Sequence, residues 1–338
     1  MGVDLGEIVV RSPTTLKEHS GQTVSVDAYN IIYQFLSSIR GPNGEPLRDS
    51  QGRVTSHLSG LFYRTVNLLE SGIRPVFVFD GRPFELKART LEERAMVKAR
   101  DLEAYQEAVE AGDAERARSL ASRINYITDE IVQESKALLG LMGLPVVQAP
   151  SEGEAQASYM SRAGLVYGVI SQDYDCLLFG ARRVLRNFTV SGRRRVPGKN
   201  VYQNVSPEVA SLEETLRQNG ITYEQLVDIG IMVGTDFNSG LSRVGAKTAL
   251  KLVKKYGDIT RVLEARGEVI ENLDRIRSFF LDPPHVDTEI RFGRPDREGI
   301  LRFLCGEHDF SRERVEPYLD TIEAGLSRGS QSSLDTFF

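Results

Sequence analysis

The chain has 338 residues, 41% hydrophobic and 26% charged, enough to bury a core as one large domain or two smaller ones. No apolar run approaches the ~20 residues of a membrane span, and the first twenty residues lack the charged-then-apolar order of a signal peptide, so a protein that stays inside the cell is expected. The net charge of −5 argues mildly against nucleic acid as a partner, but the distribution of charge decides more than its sum.

Two cysteines, Cys176 and Cys305, are too few for a disulfide framework or a cysteine-rich zinc site and read as reduced core thiols. The four histidines, His19, His57, His285 and His308, show no metal-ligand spacing and receive no role.

In chain order, removal of Met1 would expose Gly2. Residues 23–26 read as a buried strand ending in Asp27, and 28–39 carry apolar residues at helical spacing. After a loop at 41–46, a second amphipathic helix spans 57–70 and is closed by Gly72. A second apolar strand, 75–79, ends in Asp80. This alternation predicts a mostly parallel central sheet with helices on both faces, in which ligands bind outside the carboxyl ends of the strands. Asp27 and Asp80 both fall there.

From 84 to about 126 the chain is helix-forming, highly charged and poor in large apolar residues, which predicts a projecting or solvent-bridging element. Residues 82–100 carry six Lys/Arg against three Glu, and Lys87, Arg94 and Lys98 fall on one helical face. An ordinary solvated face has the same pattern. A helix over 131–140 and a strand over 144–148 lead into Pro-Ser-Glu-Gly-Glu-Ala-Gln-Ala, where Glu152 and Glu154 open a helix that reads to Gly164. The β-rich run 166–170 then delivers Asp173 and Asp175. Ser151 to Glu154 is equally a capping box of the S-x-x-E type, and Asp173 and Asp175 serve equally well as turn residues. Three strand ends carrying acids favour a shared site.

Beyond Gly180, residues 183–186 and 193–196 around Ser191-Gly192 predict a basic hairpin that includes Arg193 and Arg194. From 206 onward the reading is helical: 207–218, 222–233, then a Gly-bearing turn from Gly234 that feeds a helix. Such a turn offers backbone N–H groups and a positive dipole end to a phosphate, and Lys247, Lys251, Lys254 and Lys255 follow it. A tight interhelical turn with a solvated lysine face fits the same residues. After a Gly/Ser-rich tether the chain ends in a segment with Leu334, Phe337 and Phe338, too short to bury them. An unshielded aromatic pair points to docking into another protein rather than a tail folded back on its own domain.

Asp27, Asp80, Glu152, Glu154, Asp173, Asp175 and Asp236 make a set of seven acids. Convergence without counter-ions would be severe, since like charges at 4 Å cost roughly 4 kcal/mol per pair even at an effective dielectric of 20. A ligand set of oxygens alone selects Mg²⁺ or Mn²⁺ over zinc, and seven carboxylates exceed what one Mg²⁺ uses. Two ions about 3.5–4 Å apart clamp an in-line displacement at phosphorus, which predicts phosphodiester hydrolysis, with Lys87 and Arg94 stabilising the developing charge.

With these residues assembled, the chain resembles the flap endonuclease family of structure-specific 5′ nucleases, in its archaeal and eukaryotic form, over essentially its whole length. The motifs are Val-Asp-Ala-Tyr, Val-Phe-Asp-Gly, Glu-Gly-Glu-Ala-Gln-Ala, Gln-Asp-Tyr-Asp and Gly-Thr-Asp, and they contain all seven acids. The resemblance implies an α/β nuclease domain over 1–326 with a helical arch at about 84–126 and a DNA-binding helical region, a helix-turn-helix variant, at about 222–256. It makes the seven acids ligands of two Mg²⁺ ions, with Mn²⁺ able to substitute. It places Lys87 and Arg94 over the site with Asp173 at the chemistry, stacks Tyr33 on a base, and puts Gly2 beside the site as the processed terminus.

It further implies DNA contacts from Arg193, Arg194, Gly245, Lys247 and Lys251, and a K⁺ ion at the 234–256 turn, where Arg243 stands in place of the first glycine of a Gly-Ile-Gly pattern. Tyr33 reads equally as a core aromatic. Residues 327–338 resemble a tail with a sliding-clamp (PCNA) binding box made by Gln331, Leu334, Phe337 and Phe338. The implied substrate is branched DNA with a 5′ flap, cut near its base to leave 5′-phosphate and 3′-hydroxyl in Okazaki fragment maturation and base excision repair, with 5′–3′ exonuclease activity. The absence of a basic tail favours a cytoplasmic, archaeal-type monomer over a nuclear, eukaryotic one. The competing readings are a metal-dependent phosphatase, which has no use for the arch or the clamp box, and a noncatalytic clamp adaptor, which has no use for seven acids. Within nucleases, a Holliday-junction or nucleotide-excision relative is the runner-up.

Overall fold

The computed structural model describes residues 2–41, 44–121, 127–189, 193–195 and 202–331, without the side chains of 114, 118, 193–195, 202–204 and 328–331. The first strand, β1 (Arg11–Pro13), is exposed along its length. β2 (Thr23–Asp27) runs straight into α1 (Ala28–Ser38) because Asp27 ends the strand and caps the helix, its carboxylate accepting the backbone N–H of Asn30. α2 (Ser56–Glu70) and β3 (Arg74–Phe79) follow. A single 3-10 turn at Glu85–Lys87 then starts the long α3 (Ala88–Glu110), which folds back through α4 (Ala114–Ala121).

α5 (Asp129–Leu141), β4 (Val146–Gln148), α6 (Gly153–Arg162), β5 (Val169–Ile170), α7 (Asp175–Leu178) and β6 (Arg183–Arg186) complete the α/β part. β7 (Arg193–Arg195) and β8 (Tyr202–Asn204) form a separate ribbon, and β9 (Glu208–Ser211) returns to the main sheet. The rest is helical: α8 (Leu212–Asn219), α9 (Tyr223–Val233), α10 (Ala246–Tyr256), α11 (Ile259–Arg266), α12 (Leu273–Leu281), α13 (Arg297–Leu301), α14 (Arg312–Val315) and α15 (Leu319–Gln331).

The seven strands lie in the order β1-β9-β6-β5-β2-β3-β4. β4, β3, β2, β5 and β6 are parallel, and β9 runs antiparallel to both its neighbours. The chain steps outward from β2 through β3 to β4, then returns to the other side of β2 with β5. The crevice outside the β2 and β5 ends is therefore a topological switch point, where open α/β sheets bind ligands. Both faces are covered. On β3, Val76 and Val78 enter the core under α6, α7 and α9, whereas Phe77 and Phe79 enter the one under α1, α2, α5 and α15, as the two-residue period of a strand requires.

Several expectations are corrected. Residues 183–186 form no hairpin with 193–196: β6 pairs with β5 and β9, and β7 pairs with β8. Ser191 and Gly192 lie outside the described residues. The 166–170 run contributes only Val169 and Ile170 to the sheet. The 207–218 stretch is a strand followed by a helix, and the helix starts where Ser211 accepts the N–H of Glu214. At Ser151 the same S-x-x-E pattern does not cap, since Glu152 holds the cap position without a side-chain bond. Cys176 is buried, whereas Cys305 is only partly so. Among the described residues no helix is long and apolar enough to cross a membrane.

Candidate active site

The seven acids meet where the strands end. Asp27 closes β2, Asp80 follows β3, Glu152 and Glu154 occupy the start of α6, Asp173 follows β5, and Asp175 opens α7. Asp236 arrives from the far side, three residues past the end of α9. Electrostatic coupling links them all: Asp27 senses Asp80 and Asp173, Asp80 senses Glu152, Glu154 senses Asp175, Asp27 and Asp173, and Asp175 senses Asp236.

Backbone donors hold individual carboxylates in place. The N–H of Gly153 donates to Asp80 at 2.7 Å, that of Val3 to Asp175 at 2.7 Å, and that of Gly2 to Asp173 at 3.3 Å. Gly2 reaches this close because it lacks a side chain: a Cβ there would stand 2.8 Å from Cβ of Asp173 and 2.9 Å from Oδ2 of Asp175. Gly153, the first residue of α6, is under the same constraint, with Oδ1 of Asp80 2.5 Å from where a Cβ would be.

Burial raises the carboxyl pKa values first, and like charge adds to it. Asp27 is pushed up to about 8 by burial and then by Asp80. Asp175 is pushed up to about 7 by burial, with Asp173 and Asp236 adding to it against the opposing Val3 N–H. Asp80 is raised to about 6 by burial and Glu152, and Glu154 lies well above the usual carboxylate range for the same reasons. Among the described residues no group of three or more His, Cys, Asp or Glu side chains is drawn together closely enough to hold a metal ion as it stands. Glu152 and Asp236 are paired instead with cations of the protein. This donor set, all oxygen, crowded and short of counter-charge, fits hard divalent ions.

The cations come from the 3-10 turn at Glu85–Lys87 and the start of α3. The Lys87 ammonium pairs with Glu152 and lies 3.7 Å from Oδ2 of Asp236, and the Arg94 guanidinium is 2.6 Å from Oδ1 of Asp236. Burial lowers the affinity of the Lys87 amine for its proton, but Glu152 and Asp236 outweigh that and raise its pKa. Between the two, Thr90 donates its hydroxyl to the backbone carbonyl of Asp236 at 2.7 Å, so one stripe of α3 faces the acids. Lys98 continues it, 6.0 Å from the ring centroid of Tyr33. Tyr33 is 42% exposed, which removes its reading as a core aromatic.

The remaining predicted contacts are spread outside the acid cluster. Gly245 caps α10 in an extended conformation with no side-chain capping bond, and a Cβ there would meet nothing within 4 Å. Lys247 and Lys251 are exposed on α10, and Lys247 pairs with Glu7 at 2.8 Å. Arg243 adopts the left-handed backbone at φ 60°, a conformation that favours glycine. Arg193 and Arg194 lie on β7, with side chains outside the description. Gln331 ends α15, its side chain likewise undescribed, and Leu334, Phe337 and Phe338 lie outside the described residues.

Sequence reasoning missed Asn30. Its side-chain amide donates to Asp173 at 2.8 Å while its backbone N–H binds Asp27, so it bridges two acids from neighbouring strands. Only the backbone contact was foreseeable, because a residue three past a helix-capping Asp presents its N–H to that cap, whereas the side-chain reach to Asp173 depends on the adjacency of β2 and β5.

Two family models match: the XPG N-terminal domain over residues 5–101 and the XPG I-region over 143–236. The chain is 60% identical over 338 residues to "Flap endonuclease 1" of Picrophilus torridus, covering 100% of each. It superposes on the structure titled flap endonuclease-1 from Methanococcus jannaschii with a TM-score of 0.78 at 39% identity, covering 97% of this chain and 99% of that one. A structure of the catalytic core of Rad2 with DNA substrate matches with a TM-score of 0.69 over 94% of this chain and 97% of that one, and at 23% identity this likeness concerns the fold alone.

Proposed function

The chain belongs to the XPG-type flap endonuclease family, and on that premise we propose how its residues divide the work of a metal-dependent, structure-specific 5′ flap nuclease. The substrate is branched DNA, cut near the base of the 5′ flap to leave a 5′-phosphate and a 3′-hydroxyl. Full-length kinship to flap endonucleases sets aside the phosphatase and the noncatalytic adaptor.

Asp27, Asp80, Glu152, Glu154, Asp173, Asp175 and Asp236 would hold two Mg²⁺ ions, or Mn²⁺ in their place. Bound there, such ions supply Lewis-acid polarisation of the phosphate and acidification of water. The chain's own residues do the rest. Lys87 and Arg94 present their charge to the scissile phosphate and stabilise the negative charge that builds on it. Tyr33 offers an exposed ring on which a base stacks. Gly2 and Val3 hold Asp173 and Asp175 through backbone N–H groups. Gly245, Lys247 and Lys251 hold duplex phosphates at the start of α10, a turn that would also take a K⁺ ion, and Arg193 and Arg194 add contacts from the β7–β8 ribbon. Gln331, Leu334, Phe337 and Phe338 dock a sliding clamp of the PCNA type.

The observation that supports this reading is the pairing of Lys87 with Glu152 and of Arg94 with Asp236, which brings two cations against the crowded acids. Cleavage of 5′-flap, 3′-flap and plain duplex DNA is compared with Mg²⁺, with EDTA and with Asp173→Asn. Only the 5′ flap with Mg²⁺ and the unaltered chain is expected to be cut efficiently. Equal cutting of the three substrates would sink the proposal, and full activity of Asp173→Asn would remove that residue from the ligand set.

A further inference from the structure

The foot of the arch rests on an aromatic stack that none of the assigned roles uses. Phe84, the last residue before the 3-10 turn, lies face to face with Phe279 of α12, the ring centroids 4.0 Å apart and the planes 3° from parallel. Phe237, which follows Asp236, meets both rings edge-on, at 5.5 Å from Phe84 and 5.2 Å from Phe279. One turn earlier on α12, Arg275 pairs with Glu85 at 2.9 Å. α12 is itself fixed: Arg277 pairs with the buried Asp228 of α9 at 2.7 Å, and Phe280 is fully buried. A rigid helix therefore grips two consecutive residues at the start of the arch.

The same two residues lead directly to the site. The backbone N–H of Phe84 donates to Oε1 of Glu152 at 3.2 Å, while Lys87 takes Oε2 of that carboxylate. The carbonyl of Phe84 accepts the backbone N–H of Lys87 at 2.9 Å. Glu152 is bracketed by Phe84 and Lys87, and Asp236 is tied to the stack through its neighbour Phe237. A lysine ammonium on a flexible four-carbon stem is only as well placed as the backbone that carries it, and misplacement of a catalytic group by 1 Å costs on the order of 10²-fold in rate.

We propose that Phe84, stacked on Phe279, is a positioning residue that fixes the foot of the arch and through it the Lys87 ammonium against Glu152 and Asp236. The inference rests on the reading of Lys87 as a group that meets the scissile phosphate.

The test is single-turnover cleavage of a 5′-flap DNA at saturating enzyme and Mg²⁺ by Phe84→Ala, Phe84→Tyr, Lys87→Ala and the double variant Phe84→Ala/Lys87→Ala. DNA affinity is measured separately with Ca²⁺ in place of Mg²⁺. Phe84 is only half-buried, so the fold should survive its loss, and thermal melts check this. Phe84→Ala is expected to cleave about tenfold more slowly with DNA affinity within about twofold, and Phe84→Tyr, which keeps the stack, to cleave within about twofold of the unaltered chain. In the Lys87→Ala background the same change should cost less than about twofold, since residues acting through one another are not additive. Full-rate cleavage by Phe84→Ala beside a slow Lys87→Ala overturns the inference alone, as does multiplication of the two effects or a Tyr variant as slow as the Ala variant. Full-rate cleavage by Lys87→Ala overturns the assignment of Lys87 and this inference with it.

Discussion

The guanidinium of Arg94 stands 2.6 Å from the carboxylate of Asp236, joining α3 to the loop that precedes α10. A protein cation thus occupies an acid proposed to hold a metal ion. Arch cations and divalent ions then compete for the same carboxylates, and the competition is reciprocal.

Removing the arch cations should separate binding from chemistry. Lys87→Ala combined with Arg94→Ala is expected to slow cleavage by about 10²- to 10³-fold, the usual loss for a donor aimed at transition-state charge. Mn²⁺ binding followed by electron paramagnetic resonance should tighten in the absence of DNA, by about tenfold for each 1.4 kcal/mol of competition relieved. Weaker Mn²⁺ binding would show that the two side chains support the ion site instead of competing for it.

The raised pKa values fix the sign of a pH effect. Asp27 at about 8, Asp175 at about 7 and Asp80 at about 6 lie above the ~4 of an unfolded carboxylate, so the folded chain binds more protons than the unfolded one and loses stability as pH rises between those values. Metal-free protein in EDTA is expected to melt at a lower temperature at pH 8 than at pH 5.5. Added Mg²⁺, which binds the ionised carboxylates, should raise the melting temperature more at pH 8. Calorimetry at both pH values decides the matter, and a metal-free chain more stable at pH 8 would contradict it.

Asn30 bridges Asp27 and Asp173 through its backbone and side-chain amides. Asn30→Ala should leave Asp173 less well oriented, with cleavage reduced about tenfold and the Mg²⁺ concentration for half-maximal rate increased, since outer partners of metal ligands typically carry 10–100-fold effects. Asn30→Asp, which adds a like charge, should be the more damaging. A Mg²⁺ titration of cleavage rate for the two variants measures both, and an unchanged titration curve would remove Asn30 from the site.

Arg243 holds a left-handed backbone conformation at φ 60°, which costs a non-glycine residue roughly 1–2 kcal/mol. Arg243→Gly relieves that strain and loses about 0.5–1 kcal/mol through the greater freedom of the unfolded chain, for a net gain of about 0.5–1 kcal/mol in denaturant titrations. A loss of stability would mean that the Arg243 side chain contributes more than its backbone costs.

The readable and unreadable parts of the chain divide along burial. Residues 23–27 and 74–79 were legible because every apolar side chain in them points into one of two cores, and an acid placed immediately after such a run stands out. β1 and β9 were not legible, because β1 is exposed along its length and β9 only partly buried, so neither carries an apolar run. The S-x-x-E pattern shows the limit of local rules. It caps α8 at Ser211 but fails at Ser151, where Glu154 is drawn into the acid cluster and is coupled to Asp175 and Asp27. Phe84 carried no signal at all, since its value comes from a helix almost two hundred residues later in the chain.

The order of the strands has a consequence for biosynthesis. Ligand residues are contributed by β2, by β3, by the α6 and β5 segments on the return path, and finally by the loop after α9. A polypeptide that ends before that loop lacks Asp236 and so cannot assemble all seven carboxylates.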